Sequence, residues 1–375
     1  MPFNKPFLTG KETQYIEQAV GLGHLSGDGE FTKKCHHFFE SKYGFKKTLL
    51  TTSCTDALEM CAILINTQPQ DEIIIPSYTF VSCANAFVLR GAKIVFADCE
   101  ANSPNIDADL LEDLVTPKTK AIVVVHYAGI ACDMDKIMNF ANRYGLYVIE
   151  DAAHSIDSFY KNQPLGSLGH LATFSFHETK NVISGEGGMI VINDQQFNNR
   201  AEIIREKGTN RSAFFRGEIN KYEWVDIGSS FLPSEITAAF LFSQLEQINI
   251  IQEKRIQLWQ RYFHNLLSLS NSGFFTLPQI PDYGHCNGHL FYLVCNKPET
   301  RTQLIEYLHR ENIQAVFHYV SLHSSTYYQH FHGQRLLPNC HRFSNCLMRL
   351  PLFYELTIEE VDDICNHIIQ FFQSE

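Results

Sequence analysis

Three short runs of unbroken aliphatic residues, Ile73-Ile74-Ile75, Ile122-Val123-Val124-Val125 and Val148-Ile149, most restrict what this chain can become. Each lies between stretches whose apolar residues recur at helical spacing. A strand that is apolar on both sides must be covered on both faces, which is the pattern of a parallel sheet with helices above and below it. The spacing predicts helices over 31–43, 55–65, 82–90, 107–115 and 134–144, the second laying Ala57, Leu58, Cys61 and Ile65 on one face. It predicts strands over 47–51, 72–76, 93–97, 121–126, 146–150, 171–176 and 189–192. Residues 1–30 are polar and glycine-rich and read as an arm leading to an ordered loop, Gly27-Asp28-Gly29-Glu30. A long helical pattern over 234–267 bridges to a second, α+β part, with strands near 289–295 and 314–319 and helices over 301–311 and 358–372. A chain of 375 residues is too long for one compact core. The expectation is therefore an α/β protein with a large, mostly parallel sheet domain over 1–245, arm included, and a smaller C-terminal α+β domain over 246–375.

Charge and cysteine usage narrow the function classes. The formal net charge of −11, with no basic stripe, argues against nucleic acid as a partner. There is neither a basic-then-apolar start nor an apolar run of about 18 residues, so export and a membrane span are not expected. Eleven cysteines without CxxC pairing read as reduced, mostly buried thiols in a cytoplasm. Seventeen histidines invite a metal site, yet His330, His332, Cys340 and His341 match no zinc spacing, and no metal is expected. Neither a nucleophile elbow nor GxGxxG occurs, and Gly166-Ser167-Leu168-Gly169 reads only as a loop.

Open parallel sheets bind ligands at the carboxyl ends of their strands, so the polar residues there carry the functional reading. Ser53-Cys54-Thr55 ends one strand and opens a helix, offering hydroxyls and free N–H groups to an anion, or else simply an N-cap. Ser77-Tyr78-Thr79-Phe80 puts aromatic rings at the next strand end, for stacking or for packing. Glu150-Asp151-Ala152-Ala153-His154 places two adjacent carboxylates at a third, each costly to bury without a partner. Beside a ring nitrogen, such an acid holds that nitrogen protonated. His154 follows Asp151 by one helical turn. Finally Lys180, between two strands and just before Gly185, Gly187 and Gly188, is a lysine whose pKa burial can lower enough to make it a nucleophile. Anion cradle, flat side chain, carboxylate and lysine together suit the phosphate, ring, ring nitrogen and aldehyde of pyridoxal 5′-phosphate.

On these motifs the chain resembles the DegT/DnrJ/EryC1/StrS sugar-nucleotide aminotransferases, fold type I enzymes dependent on pyridoxal phosphate. The likeness runs from Gly27-Asp28-Gly29 through Pro76–Phe80, Glu150–His154, Phe174–Phe176, Lys180 and Gly185–Gly188 to Leu350-Pro351-Leu352-Phe353. It implies that Lys180 binds the cofactor aldehyde covalently, Asp151 pairs with the ring nitrogen and Phe80 stacks on the ring. It also implies that His154 touches the ring or its 3′-oxygen, and that Ser175, Cys54 and Thr55 hold the phosphate. Where many members carry Gly-Tyr-Asn-Tyr-Arg, with the Asn reaching the partner subunit's phosphate, this chain has Gly228-Ser229-Ser230-Phe231-Leu232. Ser230 then stands in that cross-subunit position, and a homodimer is implied. That segment, with 205–211 and 126–129, is similar to one subgroup. Its members move the amino group of L-glutamate to C4 of dTDP-4-dehydro-6-deoxy-D-glucose, giving dTDP-4-amino-4,6-dideoxy-D-galactose for surface polysaccharides such as enterobacterial common antigen. Position suggests Asn210, Arg211, His318 and Tyr319 as sugar contacts. The rival readings are a sister enzyme acting at C3 or with opposite C4 stereochemistry, a sugar dehydratase of the same family (disfavoured by Lys180), and a non-catalytic sensor that kept the fold.

Overall fold

A computed structural model describes residues 1–331 and 335–373. In chain order its strands are β1 (Thr48–Thr51), β2 (Glu72–Pro76), β3 (Lys93–Ala97), β4 (Thr119–Val125), β5 (Tyr147–Asp151), β6 (Phe159–Tyr160), β7 (Gln163–Pro164), β8 (Leu171–Ser175) and β9 (Gly188–Ile192). There follow β10 (Phe275–Thr276), β11 (Gly284–His285), β12 (Phe291–Cys295), β13 (Val316–Phe317) and β14 (Leu347–Leu350). The large sheet has the order β1-β9-β8-β5-β4-β2-β3. Only β9 runs against the rest, because β8 and β9 form a hairpin closed by Phe176 N–H to Gly187 O and Ser184 N–H to Phe176 O. The aliphatic runs are buried on both sides as expected. Ile73, Ile75, Val123 and Val125 face one core, while Ile74, Ile122, Val124 and Val148 face another.

The C-terminal part holds an antiparallel sheet, β10-β12-β14-β13, backed by helices Ile248–Asn271 and Ile358–Gln373. One hydrophobic core runs unbroken from Leu58 and Val123 of the first part to Leu293 and Leu350 of the second. Residues of both sheets therefore serve one cavity.

Three expectations need correction. The helix expected over 107–115 is a 3-10 stretch, Ala108–Asp113, in which acidic residues abound and only Leu111 is buried. The arm contains a helix, Glu12–Gly21, whose short apolar face, Tyr15, Ile16 and Ala19, packs on a core shared with helix Glu235–Leu245. The single helix over 234–267 is two, Glu235–Leu245 and Ile248–Asn271, since the apolar spacing continues across a break at Glu246 and Gln247.

Candidate active site

Lys180 is fixed by what flanks it. In the β8–β9 hairpin its N–H donates to His177 O at 2.9 Å, and Glu178 N–H to Gly185 O at 2.9 Å, where Gly185 takes φ +79°. The next residue, Asn181, is buried, donating to Gln252 Oε1 at 2.8 Å and the Asn287 carbonyl at 3.1 Å; Val182 and Ile183 then enter the core. The lysine side chain is thereby turned into a cavity of about 550 Å³ at the carboxyl ends of the parallel strands. Among the described residues no hydrogen bond or ion pair holds its Nζ. Burial lowers the Lys180 pKa to about 8, Asp151 opposing that shift and the Arg349 charge adding to it.

Strand alternation explains the adjacent carboxylates. Glu150 turns away from the cavity, fully buried, and accepts the N–H groups of Gly166, Leu168 and Gly169 at 2.8, 2.8 and 2.6 Å, with His126 Nε2 at 3.0 Å. The loop 166–169 is thus a nest for one acid. Asp151 turns into the cavity, its Oδ2 accepting the Cys83 thiol at 2.6 Å and its Oδ1 the Ala153 N–H at 3.0 Å. A buried carboxylate held from one side in this way keeps lone pairs for a further donor.

The start of helix Cys54–Leu64 forms the opposite wall. Ser53 is its N-cap, taking the Asp56 N–H at 3.0 Å, so the N-cap reading is correct for that residue. The N–H groups of Cys54 and Thr55 have no partner among the described residues and remain for an anion. Gly188 lets β9 press against them: a Cβ there would stand 2.3 Å from Ser53 C and 2.4 Å from Cys54 N.

Cys54, Thr55, Phe80, Asp151, His154, Ser175, Lys180, His318 and Tyr319 all line this one cavity. Asn210, Arg211 and Ser230 do not. Asn210 accepts the Glu223 N–H at 2.8 Å, Arg211 lies against Phe215, and Ser230 is exposed on a bridge to Glu206. Of the histidine-rich stretch, His332 lies outside the described residues.

The sequence reading missed His289 and Arg349, both in the cavity. His289 stacks on His154 with centroids 4.3 Å apart, and Tyr127 OH lies 2.6 Å from His318 Nδ1. Burial pushes all three imidazoles well below their usual range, so they are neutral donors or acceptors. A lone arginine inside an otherwise apolar strand was the signal for Arg349.

The residues fit pyridoxal 5′-phosphate. An unpaired lysine, a half-satisfied carboxylate, unpaired helix-start N–H groups and ring-bearing walls meet in one space. Among the described residues no group of three or more His, Cys, Asp or Glu could hold a metal, and no helix is long and apolar enough to cross a membrane.

Comparison with known proteins agrees with this chemistry. The profile of the DegT/DnrJ/EryC1/StrS aminotransferase family matches residues 6–369. The chain is 33% identical over 377 residues to the spore coat polysaccharide biosynthesis protein SpsC of Bacillus subtilis, covering 98% of this chain and 96% of that one. Among solved structures it is similar to PseC of Helicobacter pylori, an aminotransferase involved in the biosynthesis of pseudoaminic acid. That match has TM-score 0.91 and 25% identity, over 100% of this chain and 99% of that one. It is also similar to Spr1654 of Streptococcus pneumoniae in its PLP form, with TM-score 0.90, 25% identity and the same coverage. The chain belongs to the DegT/DnrJ/EryC1/StrS aminotransferase family.

Proposed function

We propose that this member of the DegT/DnrJ/EryC1/StrS family, with pyridoxal 5′-phosphate as cofactor, moves the amino group of L-glutamate to C4 of dTDP-4-dehydro-6-deoxy-D-glucose. The product is dTDP-4-amino-4,6-dideoxy-D-galactose for a surface polysaccharide. The observation that carries the aminotransferase reading is Lys180, without a polar partner and with its pKa lowered to about 8, in the same cavity as buried Asp151. The sugar-nucleotide substrate is supported by the motifs at 126–129, 205–211 and 228–232. SpsC and PseC, by their names, serve the biosynthesis of spore coat polysaccharide and of pseudoaminic acid, which is consistent company.

In this reading Lys180 would bind the cofactor aldehyde and Asp151 would pair with the ring nitrogen. Phe80 would stack on the ring and His154 contact it. Cys54, Thr55 and Ser175 would hold the phosphate. The cofactor, when bound, supplies the electron sink that makes the donor's Cα proton acidic. Lys180 Nζ would remove that proton from the amino donor and in the second half-reaction deliver one to C4 of the sugar. Asp151 is held in place by the Cys83 thiol and the Ala153 N–H. His318 and Tyr319 contact the sugar, while Asn210, Arg211 and Ser230 come from the second subunit of a homodimer. The chain divides into domains 1–245 and 246–375 at the break between helices Glu235–Leu245 and Ile248–Asn271, and works in the cytoplasm.

Incubating purified protein with L-glutamate and dTDP-4-dehydro-6-deoxyglucose, then assigning the product by NMR, tests this. An axial C4 amine is expected. An amine at C3, or an equatorial one at C4, would replace the proposal by a sister activity. Lys180→Ala should abolish turnover, and a variant near wild-type rate would end the reading.

A further inference from the structure

His289 has no part in the reading above, yet a buried network fixes its polarity atom by atom. Asn181, next to Lys180 in the chain, has its side-chain nitrogen 3.1 Å from the Asn287 carbonyl and 2.8 Å from Gln252 Oε1. A main-chain carbonyl can only accept, so that atom is the amide donor and the other is the acceptor Oδ1. Gln252 is oriented in the same way by the Ile156 carbonyl, 3.0 Å from its Nε2. Asn287 Nδ2 donates to the His154 and Ile156 carbonyls at 2.8 and 2.7 Å, which leaves its Oδ1 to accept the His289 N–H at 3.0 Å. The tautomer of His289 follows. Its Nδ1 lies 2.8 Å from Asn181 Oδ1, an acceptor, so Nδ1 carries the proton. Burial keeps the ring neutral, and Nε2 is then a bare acceptor. That atom has no partner among the described residues, and the ring lines the cavity that holds Lys180. His154, stacked on it with centroids 4.3 Å apart, has the opposite polarity: its Nδ1 accepts the Ala128 N–H at 3.3 Å, which puts its proton on Nε2.

We propose that His289 Nε2 accepts a hydrogen bond from the sugar hydroxyl next to the carbon that receives the amine, and so helps to select the acceptor substrate. This rests on the sugar-nucleotide reading and deepens it. Hydrogen-bond polarity decides which ligand group the ring takes. The cofactor phosphate, the two carboxylates of L-glutamate and a diphosphate offer lone pairs as anions and have no hydrogen to give. Lys180 Nζ makes no hydrogen bond to the ring and is taken up by the cofactor in that reading. The hydroxyls of the sugar remain. Asn181 holds the ring beside the residue that follows Lys180, so the hydroxyl concerned belongs to the reacting end of the sugar and not to the nucleoside.

The test compares holoenzyme with His289→Asn and His289→Gln. An asparagine amide nitrogen stands near the place of Nδ1 and keeps the bond to Asn181, but leaves the cavity without the acceptor; glutamine reaches as far as Nε2 and restores one. Calorimetric titrations use dTDP-glucose, its 3-deoxy analogue and thymidine diphosphate. The wild type should bind the 3-deoxy analogue about 3- to 10-fold more weakly than dTDP-glucose, the range for one uncharged hydrogen bond. In His289→Asn the two sugars should bind within about two-fold of each other, and His289→Gln should restore most of the difference. Affinity for thymidine diphosphate should stay within about two-fold in both variants. Three results would overturn the assignment: equal affinity for the two sugars in the wild type (no binding of either included), the full difference persisting in His289→Asn, or an equal loss of thymidine diphosphate binding. If the hydroxyl preference behaves as expected but no amino group passes from L-glutamate, the acceptor site stands and the aminotransferase reading fails. Amine transfer without the hydroxyl preference keeps that reading and removes this one.

Discussion

At the residue scale the site is a set of buried charges, and the lysine among them has a measurable thermodynamic consequence. Without cofactor, Lys180 must stay partly desolvated, and its pKa drops from about 10.5 to about 8. Between those values the unfolded chain binds more protons than the folded one, so stability rises with pH across that window. Below pH 8 both states are protonated and the penalty is fully present; above about pH 10.5 it is gone. Lys180→Met should therefore stabilise the cofactor-free protein by about 1–3 kcal/mol at pH 7. The gain should vanish near pH 10.5 in urea titrations, and a pH-independent gain would show that burial of the ammonium is not its cause. Asp151 was legible because it ends a strand that the aliphatic pattern had already located, and Lys180 because it stands in the glycine-flanked turn between two more. Arg349 and His289 were not, because Arg349 sits on β14 and His289 just before β12, both of a second sheet, and only folding brings that sheet against the first. The partner of Glu150 was hidden for a related reason: the nest at 166–169 is made of backbone N–H groups, which carry no residue signature.

At the scale of elements, two long-range fits set how helices meet the sheet. Glu235, buried at the start of its own helix, accepts the N–H groups of Gly29, Phe31 and Thr32 at 3.0, 2.7 and 3.1 Å, and so caps helix Glu30–Tyr43 from a distance. Glu235→Ala orphans these three N–H groups and the Thr32 hydroxyl and should cost about 3–5 kcal/mol, while Glu235→Gln, which keeps one acceptor, should cost about 1–2 kcal/mol. Equal losses in denaturant titrations would mean that shape rather than hydrogen bonding matters there. Gly188 is the second fit. Its neighbours at 2.3–2.4 Å are backbone atoms of Ser53 and Cys54, which cannot rotate away. Gly188→Ala should lose about 1–3 kcal/mol and displace the helix start, weakening pyridoxal phosphate binding about ten-fold in a spectrophotometric titration. Unaltered cofactor affinity would separate the helix start from the phosphate site. Strands β2 and β3 and helix Met134–Tyr144 coincide with the sequence reading because their apolar pattern and flanking turns agree. The reversed direction of β9 escaped it, since a buried strand looks alike in either sense and only the hairpin hydrogen bonds decide.

At the scale of the whole molecule, one surface is unsuited to a free monomer. The segment 214–227 leaves Phe215, Tyr222 and Trp224 at 68%, 52% and 78% exposure, with Val225 and Ile227 beside them. Monomers seldom present so continuous an apolar face. Asn210, Arg211 and Ser230 border this segment and stay outside their own cavity, as they would if they completed the site of a second copy. A homodimer joined here accounts for both facts. Substituting the two most exposed rings, Phe215→Asp with Trp224→Asp, should leave the fold intact, because neither side chain is in a core. It should weaken self-association about 30- to 1,000-fold, the range for losing interface anchors. Sedimentation over a concentration series would report the change, and activity should fall with dilution in step with dimer dissociation. Two results count against the proposal: a variant that still sediments as a dimer, or a monomer that turns over at the wild-type rate. The first would move the interface to another face. The second would show that each chain completes its own site, and that Asn210, Arg211 and Ser230 have no part in catalysis.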